Sequence, residues 1–187
     1  MGKATTSLSI EQSAWIAAQH VFFVASAPAV GGHVNCSPKG LESFTVLDPH
    51  TVAWLDFVGS GAETIAHLRE NGRICVLFCA FEGPPKILRL HGTGRVVEPQ
   101  DAEFAALLLR FPARPKAALR ALLVVAVERV AESCGFGVPE MLFVGERPQM
   151  TAWAERKGEQ GARDYQREKN VSSLDGLPAL RWPGSDT

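Results

Sequence analysis

The strongest constraint on the fold is a pair of long strand patterns joined by a tight Gly-Pro-Pro connection. RICVLFCAF (73–81) and KILRLHGTGRVVE (86–98) flank the turn sequence Glu-Gly-Pro-Pro. In the second segment apolar residues and glycines alternate with Arg89, His91, Thr93 and Arg95, which is the period of a strand with two different faces. Two such segments linked by a turn of this type predict an antiparallel hairpin.

The rest of the chain supplies further short strands and a few helices. HVFFVASA, VNCSPKG, ESFTVLD and TVAWLDF all have strand character, and the ambiguous ALLVVAVERVAESC (121–134) favours a strand because of its four valines. Helices are predicted over 9–19, where Ser9 and Gln12 form a capping box, and over 61–71, 101–110 and 150–169. Many short strands separated by turns predict a mainly β fold with peripheral helices, a closed antiparallel barrel. We expect a barrel domain over 1–148, and a C-terminal helix and tail over 149–187 that pack on the barrel or on a dimer partner.

Composition excludes several classes of function. The formal net charge of the 187 residues is −1, and the basic residues are scattered, so neither nucleic acid nor a membrane is expected as a partner. No apolar run is long enough to span a bilayer, and the N-terminus lacks the pattern of a signal peptide. The four cysteines match no metal or redox spacing; we expect buried, inert thiols, no metal and a cytoplasmic location.

The segment LDFVGSGAETIAHLREN (55–71) reads as the end of a strand, a glycine turn and the start of a helix. Helix N-termini bind phosphate because their first N–H groups are unpaired and the helix dipole is positive there. A simple sharp turn explains Gly59 and Gly61 equally well. A dinucleotide-binding motif is disfavoured, since Thr64 replaces the third glycine and a hairpin follows. No Lys-Ser or Lys-Thr completes a P-loop.

Taken together, VNCSPKG, TVAWLDFVGSGAETIAHLRENGRI and FEGPPKILRLHGTGRVV resemble the pyridoxamine 5'-phosphate oxidase-like family of FMN-binding split barrels, over roughly residues 21–97. The resemblance implies a split antiparallel β-barrel that forms a homodimer, with FMN in a cleft between the subunits. The FMN phosphate would lie at the helix start, near Ser60, Gly61 and Thr64. The flavin ring would lie against the strands around Ser43 to Thr45 and Leu55 to Phe57.

One departure from the family pattern concerns charge at the phosphate. Many members have an Arg-Lys pair where this chain has Glu63 and Thr64, and a carboxylate beside a phosphate is unfavourable. Lys39, in the turn that begins at Ser37, and Arg89 are the candidates for supplying positive charge, although a solvent-facing role is open for both. Ser60 could cap the helix, and Glu63 could pair with His67. A deazaflavin coenzyme is the alternative cofactor.

These observations predict an FMN-dependent oxidoreductase that moves a hydride between flavin and a small organic substrate or a nicotinamide. The cofactor would carry the chemistry, which explains why no acid–base constellation stands out. Pyridoxamine phosphate oxidation itself is not expected, because LPALRWPGSDT lacks the basic C-terminal segment of the true oxidases. The alternatives are a non-catalytic flavin or haem carrier or sensor, and a ligand-free dimerisation module.

Overall fold

The computed structural model of the protein describes residues 4–112 and 118–182. The described part contains eight strands and four helices. In chain order they are β1 (Ala4–Thr5), α1 (Ile10–Ala17), β2 (Phe22–Ser26), β3 (Asn35–Lys39), β4 (Phe44–Asp48), β5 (Thr51–Phe57), α2 (Glu63–Glu70), β6 (Arg73–Cys79), β7 (Ile87–Val97), α3 (Phe104–Leu108), β8 (Leu119–Ser133) and α4 (Gln149–Lys169).

The strands form one antiparallel sheet in the order β3-β2-β6-β7-β8-β5-β4, with the short β1 added on β8. The two edge strands, β3 and β4, are consecutive in the chain and are joined by only four residues, 40–43. So short a connection requires the two edges to approach one another, and the sheet is therefore curled into a split barrel. The predicted fold class is confirmed.

The interior of the barrel is packed with apolar side chains from nearly every strand. Trp54 and Phe78 are fully buried there, and Phe22 and Phe44 complete an aromatic cluster around them. A second cluster, which includes Leu55, lies on the opposite face of β5 and β8 and is covered by α3. Residues 121–125 of β8 are thus buried on both faces, which explains the continuous apolar sequence of this part of the strand.

The helices begin and end close to where the sequence predicts them. Ser9 caps α1, and its capping box with Gln12 is present. The helix predicted over 101–110 is shorter, covering only Phe104–Leu108, because residues 101–103 form turns. Strand β1 was not predicted; its two residues pair with Val130 and Ala131 of β8.

Helix α4 and the residues after it return to the barrel. The helix is kinked at Gly158, whose φ of 62° and ψ of 178° interrupt the helical backbone. After the helix, Ala179 and Leu180 are buried in the main core, and Arg181 contacts Glu98 and Asp101. Across residues 4–112 and 118–182 the structure has no helix that is both long and apolar enough to cross a membrane.

Candidate functional site

A cavity of about 580 Å³ lies between the edge strand β3, the turn that follows it and the end of β5, next to the start of α2. Six of the eight predicted site residues line this cavity: Ser37, Lys39, Ser43, Ser60, Gly61 and Thr64. Strand β3 contributes its alternate residues Asn35, Ser37 and Lys39, because these point to one face, whereas Cys36 is exposed on the other face and does not line the cavity. Residues from distant parts of the sequence therefore line one cavity.

The other two predicted residues, Thr45 and Arg89, do not line the cavity. Thr45 lies opposite Ala53 in the β4–β5 ladder, two residues beyond Ser43. Arg89 lies near the start of β7, paired with Leu77 on one side and Ala131 on the other, and its guanidinium donates to the Ser133 hydroxyl at 3.1 Å. The polar face of β7 that carries Arg89 does not line this cavity. The charge of Arg89 therefore lies away from it.

A buried ion-pair network forms one wall of the cavity. The carboxylate of Asp56 is completely buried; it accepts from Lys39 Nζ at 3.0 Å and from Arg120 Nε at 2.7 Å. Burial alone would raise the pKa of Asp56, but the positive charges of Arg120 and Lys39 outweigh that effect and hold its pKa below the usual range. Asp56 is consequently ionised, and it fixes the position of both cations.

Arg120 is the functional residue that sequence reasoning missed. Only 5% of it is exposed, and besides Asp56 its guanidinium binds the carbonyl of Gly61 at 2.7 Å, which connects β8 to the start of α2. The available signal was a charged residue in each of two apolar strands, Asp56 in TVAWLDF and Arg120 before ALLVVAV. Buried charges of opposite sign are expected to pair.

The start of α2 is not capped by a side chain. Ala62 is the N-cap residue, so Ser60, a candidate for that role, lines the cavity without capping the helix. The side chain of Thr64 is buried, and its hydroxyl accepts from the amide of Asn35 at 2.9 Å. The backbone N–H groups of the first helical turn have no helical partner, which leaves an anion-binding terminus at the cavity wall.

Glu63 lies at the same end of the helix and points to the C-terminal tail. Its carboxylate accepts the backbone N–H of Leu174 at 3.2 Å and covers Gly61. The predicted pairing with His67 is not observed. His67 is instead buried against β2, with Nδ1 2.9 Å from the Ser26 hydroxyl.

The tail closes one side of the cavity. The fully buried Asn170 donates to the carbonyl of Gly59 at 2.9 Å, and Leu174 lines the cavity. Asp175 binds both the backbone N–H and the ring of His33, at 2.8 and 2.7 Å. The glycine turn is thus positioned by residues more than a hundred positions later in the sequence.

The turn that joins the edge strands is strained. Leu41 and Glu42 both have positive φ, 60° and 48°, and Ser43 N–H donates back to the carbonyl of Gly40 at 3.3 Å. Two successive positive φ values are typical of a type I′ turn, which normally uses Asn and Gly. Glu146 stabilises this conformation by accepting the N–H of Leu41 at 3.1 Å. Strained turns of this kind cluster at binding sites.

The burial of the four cysteine side chains differs from the prediction. Cys36 and Cys134 are exposed, and Cys75 and Cys79 are half-buried, so the prediction that all four are buried is wrong. Alternation explains the three cysteines that lie in strands, because Cys36 of β3 and Cys75 and Cys79 of β6 are on the less buried faces of those strands, whereas Cys134 directly follows the end of β8. Burial raises the pKa of Cys75 and Cys79. Among the described residues, no group of three or more acidic, His or Cys side chains could hold a metal.

Comparison with solved structures supports the same architecture. The chain aligns with a putative pyridoxamine 5'-phosphate oxidase from Lactobacillus delbrueckii with a TM-score of 0.52 and 22% identity, covering 67% of this chain and 94% of the other. It aligns similarly with HupZ from Group A Streptococcus, with a TM-score of 0.51 and 23% identity over 66% of this chain and 91% of the other. These likenesses define the fold, a split barrel.

Sequence comparison identifies the family. A family model described as pyridoxamine 5'-phosphate oxidase matches residues 8–134. A curated relative, the pyridoxamine 5'-phosphate oxidase family protein ustO of Aspergillus flavus, is 42% identical over 189 residues, which cover 93% of this chain and 76% of that protein. The chain belongs to the pyridoxamine 5'-phosphate oxidase family.

Proposed function

We propose that the protein is a flavin-dependent oxidoreductase that holds FMN in the cavity between β3, the end of β5 and the start of α2. The observation that carries the proposal is the position of this cavity: two cations, Lys39 and Arg120, and an uncapped helix N-terminus converge on one opening of the barrel. Membership of the pyridoxamine 5'-phosphate oxidase family supports the choice of a flavin. The volume, about 580 Å³, lies in the range that small-molecule and cofactor sites occupy.

The residues at the start of α2 can bind a phosphate group, although one of them, Glu63, carries a negative charge. Lys39 and the first N–H groups of α2 are the donors that would hold it, with hydroxyl donors at Ser37 and Ser60. Arg120 adds positive potential from behind, although its guanidinium is already bound to Asp56 and Gly61. Glu63 lines the same cavity and opposes the phosphate.

The flavin ring would lie on the apolar part of the cavity. Leu55 and Phe57 of β5 line this part, and Ser43 is next to them, since its carbonyl accepts the Leu55 N–H at 2.9 Å. When bound, the flavin would supply hydride transfer, taking a hydride from a reduced nicotinamide and passing it to an organic substrate that also takes up a proton. The protein's own residues would bind and orient the ring and exclude water.

We further propose that two copies form the working unit and that the protein is cytoplasmic. Large apolar side chains such as Leu109 and Phe136 are exposed in a single copy, and contact with a second copy would cover some of them. All four cysteines are free thiols, which supports a reducing compartment. Sedimentation velocity on the purified protein tests the dimer.

A deazaflavin coenzyme is the second candidate ligand. Glu63 favours it, because a carboxylate in the phosphate region disfavours a dianionic tail. Competition between FMN and the deazaflavin coenzyme for the purified protein decides which of the two is held.

The test of the proposal is a titration of the full-length protein with FMN, followed by flavin fluorescence and absorbance. We expect saturable binding at one FMN per chain, and bleaching of the flavin band when NADH or NADPH is added. Binding without bleaching by any reductant would support a carrier or sensor instead. A protein that takes up neither FMN nor deazaflavin would overturn the proposal.

A further inference from the structure

A second, larger and mostly apolar groove lies beside the 580 Å³ cavity that we propose holds the flavin, which we call the flavin-site cavity. It has a volume of about 1150 Å³ and lies between the end of α1, the start of β2, the β6–β7 turn and residues 139–147, which we call the arm. Its lining is rich in aromatic and aliphatic side chains: Trp15, Val21, Phe23, Phe81, Leu142 and Phe143. Sites for small organic molecules are mostly apolar in this way, with few polar groups.

The arm is held in place as one wall of this groove. Met141 N–H donates to the carbonyl of Phe81 at 2.9 Å. The ring of Phe143 stacks on His20 with a centroid distance of 3.6 Å and an interplanar angle of 8°. Leu142, between them, is 88% exposed. The wall therefore presents an aromatic pair and a free aliphatic side chain to whatever enters the groove.

The groove and the flavin-site cavity share a wall. Both are lined by Met150 and by the four consecutive residues Pro38, Lys39, Gly40 and Leu41. The strained turn that follows Lys39 is tied to the arm by the bond between Glu146 and the Leu41 N–H. A molecule in the groove would consequently reach the flavin-site cavity across this turn.

The charges around the groove argue against a highly anionic occupant. Two carboxylates, Glu82 and Glu146, line it, and each accepts a backbone N–H, from Phe143 at 2.9 Å and from Leu41 at 3.1 Å. The cations that line it are Lys39, at the shared wall, and Arg147. The four formal charges cancel, so the groove suits an apolar body better than a phosphate.

We propose that this groove binds the organic substrate of the proposed oxidoreductase, and that this substrate is an apolar, aromatic molecule without a phosphate group. The inference rests on the proposed function for the substrate's role, while the binding site itself does not require the flavin. The reacting end of the molecule lies beside Lys39, and the apolar body lies between the arm and the start of β2.

The test uses 8-anilinonaphthalene-1-sulfonate as an aromatic probe on the full-length protein, with the substitution Leu142→Asp. We expect saturable binding of one probe per chain, with the fluorescence rise of an apolar site, and at least a tenfold weaker affinity in Leu142→Asp. The matched control is Val144→Asp, because Val144 is 99% exposed on the same arm but does not line the groove. The control variant should bind the probe with the same affinity as the original protein. Pyridoxamine 5'-phosphate should not displace the probe from the original protein.

Equal probe affinity in the two variants, or displacement of the probe by pyridoxamine 5'-phosphate, would overturn the inference. So would a Leu142→Asp variant that sediments as a smaller species than Val144→Asp, because the groove would then be a contact between copies of the chain. FMN titration of the same variants separates this inference from the proposed function. Probe binding without FMN uptake would refute only the proposed flavin-dependent function. FMN uptake without probe binding would refute only the proposal that the groove binds a substrate.

Discussion

The ammonium group of Lys39 lies 3.0 Å from the carboxylate of Asp56, which is completely buried near the end of the mostly apolar strand β5. This contact holds a cation at the edge of the cavity, while Arg120 neutralises the other carboxylate oxygen from within the barrel. Under the proposed function, Lys39 of β3 and Arg120 of β8 supply the positive charge that a flavin phosphate needs. Three predictions test this arrangement and its charge, and a fourth concerns a buried histidine.

Replacing Asp56 with Asn should destabilise the protein severely. The substitution leaves Arg120, which is 5% exposed, as a buried cation without its counter-ion. Removing one partner of a buried pair typically costs about 3–5 kcal/mol in the free energy of unfolding. Urea denaturation of the purified variant measures this cost.

The control for Asp56→Asn is a pair of the same chemistry at the surface. Arg95 and Glu103 form an ion pair in which about half of each side chain is exposed. Glu103→Gln should therefore cost less than about 1 kcal/mol. A similar cost for both substitutions would mean that burial does not determine the importance of Asp56.

Replacing Lys39 with Ala should weaken FMN binding. A hydrogen bond to a charged group contributes about 1.5–3 kcal/mol, which corresponds to a dissociation constant roughly 10 to 150 times higher. Arg89→Ala is the matched control, since Arg89 carries the same charge but lies outside the cavity and bonds to Ser133. Fluorescence titration with FMN should show no change for it. Loss of affinity in the Arg89 variant alone would place the phosphate elsewhere.

Replacing Glu63 with Gln should strengthen FMN binding by about 1 kcal/mol, roughly fivefold, because a unit charge close to the phosphate is removed. Gln still offers an oxygen to the Leu174 N–H, so the contact with the tail is kept. Thr64 is a poorer position for this test, because its side chain is buried and bonded to Asn35. Riboflavin, which lacks the phosphate, should bind both proteins equally. A gain for riboflavin as large as for FMN would contradict the electrostatic explanation.

The sequence predicted the barrel because the information for it is local. Hairpin turns and alternating strands are encoded by neighbouring residues, and even the ambiguous 121–134 segment was recognisable by its valines as part of strand β8. The short β1 could not be found, because two residues carry no periodicity and depend on pairing with β8.

The site was predicted only in part because its contacts are long-range. The cavity positions of Ser37, Lys39 and Thr64 follow from the turn and helix patterns. The pairing of Asp56 with Arg120 spans 64 residues, and the bond from Asn170 to Gly59 spans 111. Arg89 does not line the cavity, because alternation shows which residues share a face without showing what that face contacts.

The buried His67 should make stability depend on pH below the unfolded pKa of histidine, about 6.5. Burial lowers the pKa of His67 against the opposing effect of Asp175, Glu63 and Glu70, and its Nε2 has no hydrogen-bond partner among the residues that the structure describes. Above the unfolded pKa of about 6.5 the imidazole is neutral in both states. Below that value the unfolded chain takes up a proton that the folded protein resists, so the free energy of unfolding falls as the pH falls towards the folded pKa. Urea denaturation at a series of pH values should give a shallower slope for His67→Gln than for the original protein, and an unchanged slope for His50→Gln, since His50 is exposed. Identical slopes in all three proteins would show that another group governs stability in this range.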